Sequence, residues 1–401
     1  MTETTAGVVI VGAGLAGAKT AEALRAQNYT GSVTLIGDET ELPYERPPLS
    51  KGYLAGNDDF DKAVVHPREW YAENDVELLG GVTVTTIDRS GRAVGLADGR
   101  RVPYETLVLA TGAEPRRLPV PGAESALTLR TRADSDRIRA TFGAGRRLAI
   151  IGAGWIGLEV AAAARGAGTD VTVLEAADLP LLAVLGPELA QVFADLHRAN
   201  GVDLRTGARI TAITGTGVQL ADGSEVPADA VVIGVGVRPR TDLAEAAGLE
   251  VDNGVLVDGA LRTSDPAIFA VGDIANHDHP TLGQRIRVEH WATALNQPKA
   301  VAATIAGTEQ AYTNLPYFFS DQYDLGMEYV GLADASARLV TRGDVAAREF
   351  VAFWLDDSNR LLAAMNVNVW DVPDAVKPLI KAGTVVDPDR LADPSVDLAS
   401  L

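Results

Sequence analysis

The stretch VVIVGAGLAGAK at 8–19 returns almost letter for letter as AIIGAGWIGLEV at 149–160. Each copy joins an apolar, β-branched run to a Gly-x-Gly-x-x-Gly turn and an alanine-rich segment of helical spacing. A further strand follows, SVTLIG in the first copy and DVTVLE in the second. Continuous apolar runs of this kind belong to strands buried on both faces of a parallel sheet. Gly12 and Gly152 permit a tight turn, Gly14 and Gly154 let the backbone approach a pyrophosphate, and Gly17 and Gly157 let helix pack on strand. The helix N-terminus then attracts the anion. One such match is weak, but two complete copies predict two dinucleotide sites. Gly12, Ala13, Gly14, Leu15, Ala16 and Gly17 line the first, and Gly152, Gly154, Ile156 and Gly157 the second. Glu175 closes the second strand of the second copy, where an acid grips the ribose hydroxyls of NAD. A carboxylate there repels a 2′-phosphate and no Arg follows at once in EAADLP, which favours NADH over NADPH. In the first copy the in-register position is Gly37. The acid lies one place later, at Asp38, with Glu39 as its rival.

Two dinucleotides on one chain are most economically a donor and an acceptor of electrons, FAD held permanently and NAD(H) exchanging. The rest of the sequence narrows the chemistry by exclusion. The 401 residues contain no Cys, which removes disulfides, thiolate metal sites and any redox-active thiol pair. A net charge of −19 argues against nucleic acid and against anionic membranes. No long apolar run or basic leader is visible, so a cytoplasmic protein without a membrane span is expected.

Several further segments carry a resemblance. YERPPLSK (44–51), LVLATGAEPR (107–116), LRT (129–131), IFAVGDIA (268–275), VEHWATALNQ (288–297) and PYFFSDQYD (316–324) together resemble the FAD-dependent, NADH-using ferredoxin reductases of bacterial oxygenase systems, the putidaredoxin reductase and biphenyl dioxygenase reductase type. The resemblance implies that Arg46 and Lys51 lie along FAD, where their charges could neutralise the pyrophosphate. It further implies that Val84 bonds adenine through its backbone, that Arg130 lies near the flavin and that Asp273 holds the ribityl chain. A helix beginning near Trp291 would aim its positive end at the flavin, with Trp291 as a wall. Glu159, on the first turn of the second glycine-loop helix, would contact the nicotinamide, and Gly236 lies on the exit from the NAD domain. The implied reaction is hydride transfer from NADH to FAD, then single electrons to a [2Fe–2S] ferredoxin serving a cytochrome P450 or dioxygenase.

The expected fold is α/β, with two Rossmann-like domains of the glutathione-reductase kind and a C-terminal α+β domain built on an antiparallel sheet. The FAD domain is discontinuous (1–111 and 239–315), the NAD domain spans 112–238, and the C-terminal domain spans 316–401. In that last domain EYVGL, ARLVTR, EFVAFWL and RLLAAMNVN read as strands, VPDAVKPLIKAG as a helix limited by Pro378, and the tail DPDRLADPSVDLASL as irregular. It is expected to shield the flavin and help dock a partner, in a monomer or weak homodimer. Arg285 and Arg287 are the first candidates for a basic docking patch, and Arg338, Arg342 and Arg348 the second. Two other functions remain open: NADH-dependent reduction of small acceptors such as quinones or monodehydroascorbate, and redox sensing of the apoptosis-inducing-factor kind.

Overall fold

A computed structural model describes residues 6–401. The described residues form two compact units, each assembled from three segments: residues 6–46, 60–114 and 238–316 in the first, and 47–59, 115–237 and 317–401 in the second.

In the first unit Gly7–Val11 is buried at every position, as a run without alternation requires. It pairs in parallel with Val33–Ile36 on one side and Arg101–Leu109 on the other. Val76–Leu79 and Ile268–Ala270 extend the parallel part outwards. Val84–Asp88 and Ala93–Leu96 add an antiparallel meander to the same sheet. The helix Leu15–Ala26 buries Ala18, Ala21 and Leu24, and it packs along the helix Trp291–Ile305. The C-terminal ends of the parallel strands therefore open at the first glycine turn, where ligands of such sheets bind.

The second unit holds three sheets. Asp203–Arg205, Asp170–Leu174, Arg147–Ile151 and Ala230–Ile233 form a parallel sheet in that order. Ile210–Ile213, Gly217–Leu220 and Glu225–Pro227 form a small antiparallel one. The third is a five-stranded antiparallel sheet in the order Tyr317–Gln322, Leu325–Gly331, Leu361–Val367, Glu349–Leu355 and Arg338–Asp344. Trp155, opening the second glycine-loop helix Trp155–Gly166, ties the parallel sheet to the antiparallel one. Its ring lies 5.4 Å from Phe193 and 5.2 Å from Phe318. The helical segment Leu182–Ala199 kinks at Gly186, whose φ of +76° precedes Pro187.

Two expectations for the C-terminal region are corrected. Pro378 does not divide its helix, which runs unbroken over Val372–Ala382. A proline removes one N–H bond, and burial of Val376 and Ile380 against the sheet compensates for it. The tail is not irregular throughout: Pro388–Ala392 forms a helix capped by Asp387, with Leu391 fully buried. Arg342 holds the carbonyls of Pro394 and Val396 at 2.9 and 2.6 Å.

Candidate dinucleotide sites and the Glu159 cluster

The two glycine turns are alike in detail. Gly12 and Gly152 have φ of +114° and +99°, a region closed to most side chains. A Cβ on Gly17 would lie 2.0 Å from the carbonyl oxygen of Gly12, and one on Gly157 would lie 2.1 Å from that of Gly152. Those glycines are demanded by the fold itself. Gly14 and Gly154 are different, because a Cβ on either would meet no atom within 4 Å. Both are the N-caps of their helices, and neither helix has a side-chain cap. Each turn is therefore an open cradle facing uncapped N–H groups, which fits a pyrophosphate.

At the second cradle the Glu175 carboxylate accepts the N–H of Ala153 at 2.7 Å and that of Ala177 at 2.9 Å. It thus sits on the glycine turn, where the ribose hydroxyls are expected. A cavity of about 360 Å³ lies beside it, lined by Arg205, Thr206, Arg209, Asp222 and Ser224 among others. The Glu175 N–H donates to the Arg205 carbonyl at 2.9 Å, and the Arg205 guanidinium pairs with Asp203 at 2.8 Å.

At the first cradle the two rival acids separate. Asp38 pairs with Arg240 at 3.1 Å. Glu39 takes the Tyr44 hydroxyl and pairs with Arg46 at 2.8 Å, and the Arg46 guanidinium stacks 5.2 Å from the Tyr44 ring. Burial disfavours the Arg46 charge, but Tyr44, Glu39 and Asp273 outweigh it and hold the pKa above its ordinary value. Glu39, Arg46 and Asp273 thus form one electrostatic group, to which Asp38 does not contribute.

The strand Ile268–Ala270 ends in a single turn, Gly272–Ile274, that carries Asp273. The Gln297 side chain accepts the Gly272 N–H at 2.7 Å, and a Cβ on Gly272 would lie 3.1 Å from that of Ala16. This turn consequently lies over the first glycine loop. Trp291 opens its helix as expected, and its Nε1 donates to Glu45 at 3.0 Å. His290 caps that helix, and burial pushes its pKa down to about 4 against the opposing pull of Asp273. Val84 begins its strand and packs on the first core. Arg285 donates to the carbonyls of Val257 and Asn276 at 2.9 and 2.6 Å. Arg287 is corrected as a docking cation: its side chain is only 7% exposed, pairs with Glu289 at 2.9 Å and holds the Asp273 carbonyl at 3.2 Å. It supports the Asp273 turn instead. Arg338 and Arg348 are likewise engaged, with Asn359 and Asp324.

In the second unit Glu159 is 3% exposed, so its charge must be met by partners. Lys51 donates to its Oε1 at 2.5 Å, Ser320 to the same oxygen at 2.6 Å, and Ser50 to Oε2 at 2.5 Å. The Lys51 ammonium also lies 5.2 Å from the Phe319 ring. Lys51 is thus paired within the second unit, as Arg46 is with Glu39 in the first. The segment 47–59 folds with the second unit, where Leu54 is fully buried and Ser135 donates to the Leu49 carbonyl at 2.8 Å. Removing Lys51 would strand a buried carboxylate, at a cost of about 3–5 kcal/mol. Ser50 and Ser320 were not singled out by sequence reading. The signal for Ser320 was the alternation in YFFSDQ, which puts Phe318, Ser320 and Gln322 on one face. Arg130 precedes the N-cap Thr131, and its N–H donates to Asp134 at 3.1 Å. Gly236, with φ of +94°, accepts the Arg116 N–H at 2.9 Å. Ile156 is 45% exposed beside the second cradle.

Residues 6–297 match the family model for pyridine nucleotide-disulphide oxidoreductases. The chain belongs to that family. Residues 317–401 match a second model, described as the reductase C-terminal domain. Among similar oxidoreductases of the family is the anthranilate 1,2-dioxygenase system ferredoxin–NAD(+) reductase component of Burkholderia cepacia. It is 44% identical, with 97% of this chain and 98% of that one covered. Putidaredoxin reductase of Pseudomonas putida is 40% identical, with 98% and 96% covered. Among solved structures, the ferredoxin reductase for the CYP199A2 system from Rhodopseudomonas palustris superposes with a TM-score of 0.94 at 40% identity, covering 98% of each chain. The covalent putidaredoxin reductase–putidaredoxin complex also gives 0.94 at 40% identity, covering 99% of this chain and 98% of that one. These relatives share the expected fold: two dinucleotide-binding halves followed by an antiparallel C-terminal sheet. Among the described residues no helix is long and apolar enough to cross a membrane, and no cluster of His, Asp and Glu is placed to hold a metal.

Proposed function

We propose that this protein is an NADH-dependent ferredoxin reductase: it binds FAD and NAD(H), takes hydride from NADH and passes electrons one at a time to a [2Fe–2S] ferredoxin. The observation that carries this reading is the pair of open cradles at Gly14 and Gly154 in a chain that matches ferredoxin–NAD(+) reductases over nearly its whole length. Bound FAD supplies the change from two-electron to one-electron chemistry, which no side chain offers. The residues suited to hold FAD are the first glycine turn, Glu39 with Arg46, and Asp273, which gives Glu39 the ribose role in preference to Asp38. Trp291, fixed by Glu45, is suited to wall the flavin. Glu175 and the second glycine turn are suited to NADH, and the Glu159–Lys51 pair to orienting the nicotinamide. With no Cys in the chain, electrons leave without a thiol relay.

The electron acceptor follows from the relatives, which serve dioxygenase and cytochrome P450 systems by their names. The test is direct. The yellow, FAD-loaded protein is mixed with NADH and putidaredoxin, or with the ferredoxin of an anthranilate dioxygenase system, and ferredoxin bleaching is followed. NADH-dependent reduction at tens of turnovers per second or faster is expected for one of them. Reduction of quinones alone, with no ferredoxin turned over, would instead support the small-acceptor function.

A further inference from the structure

The hydrogen bonds on Glu159 do not stop at Ser320. Gln322 Nε2 donates to Ser320 Oγ at 3.1 Å, and His197 Nε2 meets Gln322 Oε1 at 2.8 Å. The Tyr323 hydroxyl lies 3.4 Å from His197 Nδ1. Ser320, Gln322 and His197 are each fully buried. A buried polar chain thus runs from the helix Leu182–Ala199, through the antiparallel sheet, to the carboxylate on the second glycine-loop helix.

The polarity of this chain is fixed by charge. Beside Lys51 the Glu159 carboxylate is an acceptor only. Ser320 must spend its one proton on it. The Ser320 oxygen can then only accept, so the Gln322 amide must turn its N–H towards it and its carbonyl towards His197. That carbonyl needs a donor, so the imidazole carries its proton on Nε2, and Nδ1 is left to accept from Tyr323. Burial holds the His197 pKa below its ordinary value, which keeps the ring neutral and makes a single tautomer meaningful.

We propose that Gln322 and His197 are positioning residues for Glu159. The His197 proton fixes the Gln322 amide, the amide fixes the Ser320 hydroxyl, and the hydroxyl fixes the carboxylate that orients the nicotinamide. The C-terminal sheet, remote in sequence from either glycine turn, thereby sets the hydride-transfer geometry. Without Gln322 the Ser320 hydroxyl still donates to Oε1, but its oxygen loses the N–H that holds it in place, so the carboxylate is less firmly positioned. Small misplacement of a positioning group is enough to slow a transfer that depends on close approach.

The inference rests on the nicotinamide role given to Glu159, and its test separates the two. In the FAD-loaded enzyme labelled with ¹⁵N-histidine, two-bond ¹H–¹⁵N spectra should show His197 as the Nε2–H tautomer; the Nδ1–H tautomer would overturn the polarity argued above. In anaerobic stopped-flow, Gln322→Leu and Ser320→Ala should each slow flavin reduction by NADH about tenfold, and the double variant should be no slower than either. His197→Gln, which keeps a donor near the Nε2 position, should retain the native rate, whereas His197→Phe should match Gln322→Leu. An additive, roughly hundredfold loss in the double variant would mean that Gln322 acts on folding rather than through Ser320. If the native enzyme is not reduced by NADH at all, the proposed function fails while the tautomer result still stands.

Discussion

Gly154→Ala separates what the fold requires from what the ligand requires. The new Cβ would meet nothing within 4 Å, and Gly154 has an extended backbone, φ −79° and ψ −179°, that alanine adopts freely. Alanine is a poorer N-cap than glycine by about 0.5–1 kcal/mol, and the stiffer unfolded chain returns about as much. The melting temperature should therefore move by no more than a few degrees. In the cradle, however, a methyl group holds the pyrophosphate off the first-turn N–H groups. Losing one hydrogen bond to a charged group costs about 1.5–3 kcal/mol, a weakening of roughly 10- to 150-fold. Stopped-flow titration of the FAD-loaded variant should show the NADH Kd raised by that factor, with the limiting rate much less affected. Gly157→Ala is the contrast: its Cβ would lie 2.1 Å from a backbone oxygen, so folding itself should suffer. Native NADH affinity in Gly154→Ala would refute the assignment of this turn to the dinucleotide.

Three other outcomes are expected. NADH should be preferred over NADPH by at least about tenfold in kcat/KM, and Glu175→Ala should narrow that gap; a native preference for NADPH would remove Glu175 from this role. Arg287→Glu should weaken FAD retention and lower NADH–ferricyanide activity together with ferredoxin reduction, because Arg287 braces the Asp273 carbonyl; a rise in the ferredoxin KM alone would restore it to a docking surface. Buried His277 has its pKa pushed down from 6.5 to about 4 by burial, then by His279 and Arg285. The folded protein resists a proton that the unfolded chain accepts, so stability is lost as pH falls from 6.5 towards 4, by up to about 3 kcal/mol from this group. His277→Phe, which keeps the ring, should flatten that acid limb in urea titrations at successive pH values, and an unchanged limb would show that other groups set it.

The parallel sheets were legible because VVIV and RLAII show no alternation, and the glycine turns because their spacing is itself the structure. The five antiparallel strands were legible in part: four were read from apolar runs, while YFFSDQ was taken only as a domain start. What the sequence hid is what sequence distance hides. Nothing near Lys51 indicates that its partner is Glu159, 108 residues away, or that Ser320 closes the same cluster from 161 residues away. The tail was misjudged because Pro and Asp read locally as breakers, while one leucine, Leu391, buried against the sheet decides the outcome. Asp38 was placed ahead of Glu39 by its nearness to the in-register Gly37, which does not reveal that Arg240 pairs with the one acid and Arg46 with the other.

Two nearly identical turns also differ in how each is covered. At the first, Leu15 and Ala16 are 8% and 7% exposed, and the Gly272–Ile274 turn lies over them within the same unit. At the second, Ile156 takes the place of Ala16 and stands 45% exposed, while the Leu181 N–H donates to the Ala153 carbonyl at 3.2 Å. A dinucleotide seated at the first must be released by moving that turn and the polar group of Arg46, Glu39 and Asp273. One seated at the second leaves along an open helix end. The same motif thus suits a resident cofactor in one copy and an exchanging one in the other. Gel filtration of the protein loaded with both should return FAD with the protein and NAD⁺ in the small-molecule fractions. Recovery of the reverse, NAD⁺ retained and FAD lost, would exchange the two assignments and with them the direction of hydride transfer argued above.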